Sequence, residues 1–271
     1  VNPGVTVYGK ILIPITRTSN MKFLVEFVDH FLRPSGEITF LHVIASDIMT
    51  ISPVEWRRAM STISTTHLLS ASEGMRVDYR VKNSRSVASG ILEEAEAGGY
   101  DLILLASSTY RKHLKHIFGS TIDEIIKRAK VETVVFRFRD DLEMKYEKIL
   151  IPTSGYQHSV SAARMAARLY RKHGSDVTVL YVGEDKDEAA RALKPVSDSL
   201  NEAGIRHRAL NRRGPVVETI LDEADRGYDL MMIGATERPV YYQFLLGSTA
   251  DRLVKRSPCP VLMVKSIGDK K

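Results

Sequence analysis

Two segments place a Gly-Ser-Thr run just ahead of an amphipathic helical pattern, Gly119-Ser120-Thr121 and Gly247-Ser248-Thr249. Nine residues separate Thr109 from Gly119, and nine separate Glu237 from Gly247. A helix that opens at such a serine offers unpaired backbone N–H groups and a partial positive charge to an anion such as a phosphate. The glycine before it removes a Cβ that would hold a ligand away from the backbone. The same residues also serve without a ligand, because a serine at a helix start caps the first turn. Spacing alone leaves both roles open.

Other candidate chemistry is thinner. His113 and His116 lie three apart in a basic loop without acidic or cysteine neighbours, so they read as solvated loop residues and no metal site is expected. His42 lies in a strand-like run and reads as a hydrogen-bonded sheet histidine. Trp56, Met60 and Ile63 share helical spacing and suit a core or an interface. Cys259, between two prolines, reads as a small buried apolar residue. The run Ser154-Gly155-Tyr156-Gln157-His158-Ser159 has the look of a strand-to-helix turn. No Gly-x4-Gly-Lys-Ser/Thr loop is present, and no Gly-x-Gly-x-x-Gly follows a strand. No Ser, His and Asp set and no pair of acids stands at a spacing that compels catalysis, so no catalytic residue is assigned and a non-enzymatic role is expected.

Positioning such loops takes folded domains, and the chain has the means to build them. Its 271 residues suffice for two units of ordinary size, with 44% hydrophobic and 27% charged residues. A single cysteine rules out an intramolecular disulfide and fits a reducing, cytoplasmic setting. No apolar run approaches the length of a membrane helix, and the start VNPGVTVYGK lacks the regions of a signal peptide. The net charge of +6 is spread among 33 acids, and no aromatic residues interleave with a basic stripe, so nucleic acid is not an expected partner.

The chain repeats itself. KILIPI from Lys10 is answered by KILIPT from Lys148, LHV at Leu41 by LYV at Leu180, and DLILLA at Asp101 by DLMMIG at Asp229. The shrinking offset places about ten extra residues in the first copy, after His42-Val43, where Ser52 and Pro53 suit a helix start. Residues 1–137 form the first expected domain, 138–147 a charged linker and 148–271 the second. Short β-branched runs alternate with helical faces such as Leu24, Phe27, Val28 and Phe31, or Ala162, Met165, Ala166 and Leu169. Leu102–Leu105 and Leu230–Ile233 are apolar without alternation, as central strands are. The fold class expected is α/β, with two doubly wound parallel-sheet, Rossmann-like domains in tandem. The last strands, Thr133–Arg137 and Val261–Val264, are apolar edges expected to pair as an intramolecular pseudo-dimer. Asp101 and Asp229 open buried strands at their amino ends, away from the edge where ligands gather, and are expected to do structural work.

The segment Gly234 to Val264, GATERPVYYQFLLGSTADRLVKRSPCPVLMV, and its counterpart from Ala106 to Phe136 resemble the universal stress protein family, whose pattern here covers nearly the whole chain twice. The resemblance implies an adenine nucleotide, ATP or AMP, at the carboxyl edge of a repeat. Its second-repeat residues would be Thr153, Ser154, Gly155, Val182, Gly234, Glu237, Gly247, Ser248 and Thr249; those of the first would be Ile15, Thr16, Val43, Ala106, Thr109, Gly119, Ser120 and Thr121. Several depart from the family pattern. Ala106 replaces the first glycine, Thr109 and Glu237 replace the second, and Thr16 and Ser154 stand where the family has an acid. These departures favour the second repeat. The function implied is stress response or signalling without catalysis, through a protein partner, with homodimers also compatible. The alternative is a cytoplasmic regulatory domain at the inner face of the membrane, reaching it only through an attached amino-acid-permease-type transporter. The valine at position 1 and the short lead before the first strand suit that alternative.

Overall fold

The computed structural model describes residues 7–15, 21–45, 54, 57, 60–61, 76–108, 120–138, 144–235 and 248–266. The first repeat runs β1 (Tyr8–Pro14), α1 (Met21–Asp29), β2 (Leu32–Ala45), β3 (Arg76–Ser84), α2 (Val87–Ala97), β4 (Leu102–Ser108), α3 (Ser120–Arg128) and β5 (Glu132–Phe138). The second runs β6 (Lys148–Pro152), α4 (Gln157–His173), β7 (Asp176–Val182), α5 (Lys186–Glu202), β8 (His207–Arg212), α6 (Val216–Ala224), β9 (Leu230–Gly234), α7 (Ser248–Arg256) and β10 (Val261–Lys265).

Within the first repeat the strand order is β3-β2-β1-β4-β5, and within the second it is β8-β7-β6-β9-β10. β1 pairs in parallel with β2 and β4, as β6 does with β7 and β9. This is the doubly wound order, in which the chain leaves the first strand toward one edge and returns to build the other. Ile11, Leu12 and Ile13 have no exposed surface, nor have Ile149, Leu150 and Ile151. Central strands covered on both faces need apolar residues at every position, which is why KILIP lacks alternation.

Both helical faces read from the sequence are buried. Leu24, Phe27 and Val28 lie inside on α1, and Phe31, just past its end, stacks obliquely on Phe27 with centroids 4.9 Å apart. Ala162, Met165, Ala166 and Leu169 of α4 are fully buried, and the alanines let that helix settle close to its sheet. Leu41 pairs with Arg80, 39 positions on, whereas Leu180 pairs with Leu210, 30 positions on. The extra nine residues of the first repeat therefore lie between β2 and β3. Ser52, Pro53, Trp56 and Ile63 fall outside the described residues; Met60 is helical and half-buried.

β5 runs through Phe138, one residue into the stretch read as linker, because Phe138 is buried and stacks on Phe136 at 5.7 Å. Tyr146, near the other end of that stretch, is also buried, against the His173 ring at 5.0 Å. Among the described residues no helix is long and apolar enough to cross a membrane.

Candidate functional site

At the amino edge of each sheet an aspartate binds backbone. The Asp101 carboxylate accepts from the Gly9 and Lys10 amides at 2.6 and 2.9 Å, while the Asp101 amide donates to the Lys10 carbonyl at 2.9 Å. Asp229 repeats this with Lys148, accepting at 2.8 Å and donating at 2.9 Å. Both residues thus clamp the start of the first strand of their repeat to the start of the fourth, the structural work that their position suggested.

A second duplicated feature went unread in the sequence. Glu94 of α2 is buried and accepts from the Tyr100 hydroxyl at 3.1 Å and from Arg80 at 2.6 Å. Glu223 of α6 is buried likewise, with the Tyr228 hydroxyl at 3.3 Å and Arg212 at 3.2 Å. The cations come from different rungs: the register equivalent of Arg212 is Lys82, which stands 4.0 Å from Glu94. The signal that could have found the pair is the recurrence of Ile-Leu-x-Glu-Ala ahead of Gly-Tyr-Asp in both copies.

The carboxyl edge of the second repeat opens into a pocket of about 910 Å³. Its floor is the end of β6 and β9, and its walls are the β6–α4 turn, the end of β7 and the first turns of α5, α6 and α7. Thr153, Ser154, Val182, Gly234 and Thr249 of the expected set line it. Gly155 does not line it but shapes its wall: its φ is +84°, its amide donates to Thr153 Oγ1 at 3.0 Å, and a Cβ there would lie 2.8 Å from the Cα of Ala192. Ser248 is the first residue of α7, while Glu237 and Gly247 fall outside the described residues.

Gly234 has a reason of its own. A Cβ at this position would overlap the His158 carbonyl, so the glycine lets the first turn of α4 rest directly on the end of β9. In the first repeat Ala106 holds this place. Ile15 and Val43 are buried, Ala106 and Thr121 half-buried, and Ser120 is exposed at the start of α3. Thr16, Thr109 and Gly119, like His113 and His116, lie outside the described residues.

Side chains that the motifs did not indicate complete the pocket. Tyr156 is 65% exposed at its mouth, with its ring stacked on His158 at 5.8 Å, and Val216 is exposed on another wall. Burial lowers the His158 pKa below its ordinary value. Tyr181 and Glu188 stand together, and the phenol is raised by burial first and by its hydrogen bond to Glu188 next. Elsewhere, His42 sits in β2 with a backbone hydrogen bond at Ile15, and burial lowers its pKa. Cys259 is buried beside Ser257, its thiol pushed up by burial. Among the described residues no group of three or more His, Cys, Asp or Glu is placed to hold a metal ion.

The model of the universal stress protein family matches residues 8–137 and again 145–265. A universal stress protein of Methanocaldococcus jannaschii is 30% identical over an alignment of 143 positions that covers 45% of this chain and 84% of that protein. The crystal structure of a universal stress protein from Archaeoglobus fulgidus superposes over 95% of this chain and 98% of its own at a TM-score of 0.73, with 19% identity. The cytoplasmic domain of a prokaryotic cation chloride cotransporter does so over 94% and 95% at 0.64, with 11% identity. With the family pattern matched in each half, on two doubly wound α/β domains, the chain belongs to the universal stress protein family in its tandem form.

Proposed function

We propose that the second repeat binds an adenine nucleotide, ATP or AMP, and that binding is passed to a protein partner rather than turned into chemistry. The observation that carries this reading is the 910 Å³ pocket at the carboxyl edge, where the β6–α4 turn, the end of β7 and the start of α7 converge. A parallel sheet wound in both directions opens a crevice there, and a helix start facing it suits a phosphate. Thr153, Ser154, Gly155, Val182, Gly234, Gly247, Ser248 and Thr249 would form the site, largely through backbone. Glu237 would oppose a triphosphate more than AMP, since repulsion grows with ligand charge. Titration calorimetry on the full chain tests the reading. AMP should bind, Glu237→Gly should tighten ATP, and ATP should remain unhydrolysed on long incubation. An absence of binding by either protein at millimolar ligand defeats the nucleotide part.

A second reading is a cytoplasmic regulatory domain attached to a transporter, with degenerate nucleotide sites. It is supported by the cotransporter domain, which has this fold over both repeats. The reading frame upstream of Val1 decides it: a series of hydrophobic segments supports attachment, and an immediate start codon removes it.

A further inference from the structure

The pocket is polar in a directional sense. Among the described residues that line it, Glu188 is the one carboxylate, and it stands on the wall formed by α5. Its place is fixed from both sides. Asp185 caps α5 by accepting from the Glu188 amide at 2.7 Å, which holds the first turn of the helix. One turn further on, Ala192 meets Gly155 of the β6–α4 turn so closely that a Cβ on the glycine would touch its Cα. Residues four apart share a helix face, so Glu188 projects along the same face beside Ser154 and Gly155. The Tyr181 hydroxyl bonds to it from the end of β7. A carboxylate accepts up to about four hydrogen bonds, so one phenol leaves most of that capacity for a ligand. The opposite wall carries Thr249 in the first turn of α7, where backbone N–H groups favour negative charge.

On the nucleotide-binding reading above, we infer that Glu188, steadied by Tyr181, is the specificity and orientation residue of this site, accepting hydrogen bonds from the uncharged, donor-bearing end of the ligand. Its charge repels phosphate from the α5 wall and directs it to the α7 wall. Two parts of AMP carry such donors, the ribose hydroxyls and the exocyclic amine of adenine.

The test is titration calorimetry of the full chain and of Glu188→Gln with AMP, 2′-deoxy-AMP and IMP. Glutamine keeps the size of the side chain and removes its charge. Glu188→Gln should bind AMP about tenfold more weakly, as expected on losing a hydrogen bond to a charged group. Adding Ser154→Asp, which returns a carboxylate to the facing turn, should recover most of that loss. The analogue lacking the donor that meets Glu188 should bind the unaltered chain about tenfold more weakly, with no further loss in Glu188→Gln. Loss with 2′-deoxy-AMP assigns the ribose, and loss with IMP the adenine amine. Glu188→Gln binding AMP as tightly as the unaltered chain overturns the inference and leaves nucleotide binding standing. So does a loss for both analogues that simply adds to that of the substitution. An unaltered chain that binds no AMP overturns the nucleotide reading and this inference with it.

Discussion

The two ends of the sheets have diverged to different degrees. At the amino edge the repeats share the same arrangement: Asp101 and Asp229 clamp the same backbone, and Glu94 with Tyr100 is answered by Glu223 with Tyr228, though the cations on the two glutamates come from different rungs. At the carboxyl edge they match only in part: Gly119-Ser120-Thr121 is answered by Gly247-Ser248-Thr249, but the strand ends and the turn after the first strand differ. Gly234 faces Ala106, Gly155 faces Arg17 and Thr153 faces Ile15. The amino edge holds each sheet together, so a change there costs both copies alike. The carboxyl edge is where a doubly wound fold keeps its crevice, and a duplicated crevice can be altered in one copy while the other is retained.

The sharpest way to break this comparison is at Gly234. The Cβ of Gly234→Ala would meet backbone of α4, which cannot swing aside as a long side chain can, so the variant should lose about 3 kcal/mol. The reverse change in the first repeat, Ala106→Gly, should cost under about 1 kcal/mol through chain entropy alone. Urea unfolding of both variants reads the asymmetry. Equal losses would mean that the glycine is not set by the helix start.

That glycine also marks how far the sequence could be read. The duplication, the parallel α/β order and the buried helical faces follow from periodicity and self-similarity, which report burial directly. Five of the nine expected second-repeat site residues line one pocket, because strand ends and helix starts in this topology meet at one edge. Glu188 and Tyr181 could not be found that way. Their meeting depends on how α5 lies against the β6–α4 turn, a packing fact that no spacing in the chain encodes. Gly234 matched a ligand-binding pattern, yet its requirement arises from helix packing, so the motif carried two meanings with one residue.

Next in size are the buried carboxylates. Glu223→Ala leaves the Tyr228 hydroxyl and Arg212 without their shared acceptor; Arg212 is about two-fifths exposed and can rehydrate, so the loss should be about 2 kcal/mol rather than that of a fully buried pair. Glu94→Ala should lose a similar amount, since Arg80 is exposed to the same extent. Differential scanning of both variants checks this. A large loss in one repeat alone would show the amino edges to be less equivalent than they look. Asp101→Asn and Asp229→Asn should cost about 1 kcal/mol each, because asparagine still accepts a bond but without the charge. Asp101, which accepts two amides, should be the costlier, and neither change should alter AMP affinity. A selective loss of binding would refute the structural assignment.

The smallest effect expected is on pH dependence, and it touches both repeats through different histidines. Burial lowers the folded pKa of His42 in β2 and of His158 in the pocket below their ordinary value of 6.5. The folded state therefore holds these rings neutral, while the unfolded chain takes up protons near 6.5. Stability from this source is complete above that pH and is lost as the pH falls below it, until the folded rings also protonate. Carboxylates stay ionised between pH 7.5 and 5.5, so this window isolates the histidines. The urea midpoint should fall across it, and the fall should be shallower in His158→Gln, which leaves only the contribution of the other rings. His158 also carries the carbonyl that rests on Gly234, but that contact is through backbone and survives the substitution. A midpoint that rises toward pH 5.5, or a slope unchanged in His158→Gln, would mean that the pocket histidine is solvated in the folded chain and that the wall it forms is more open than its burial implies.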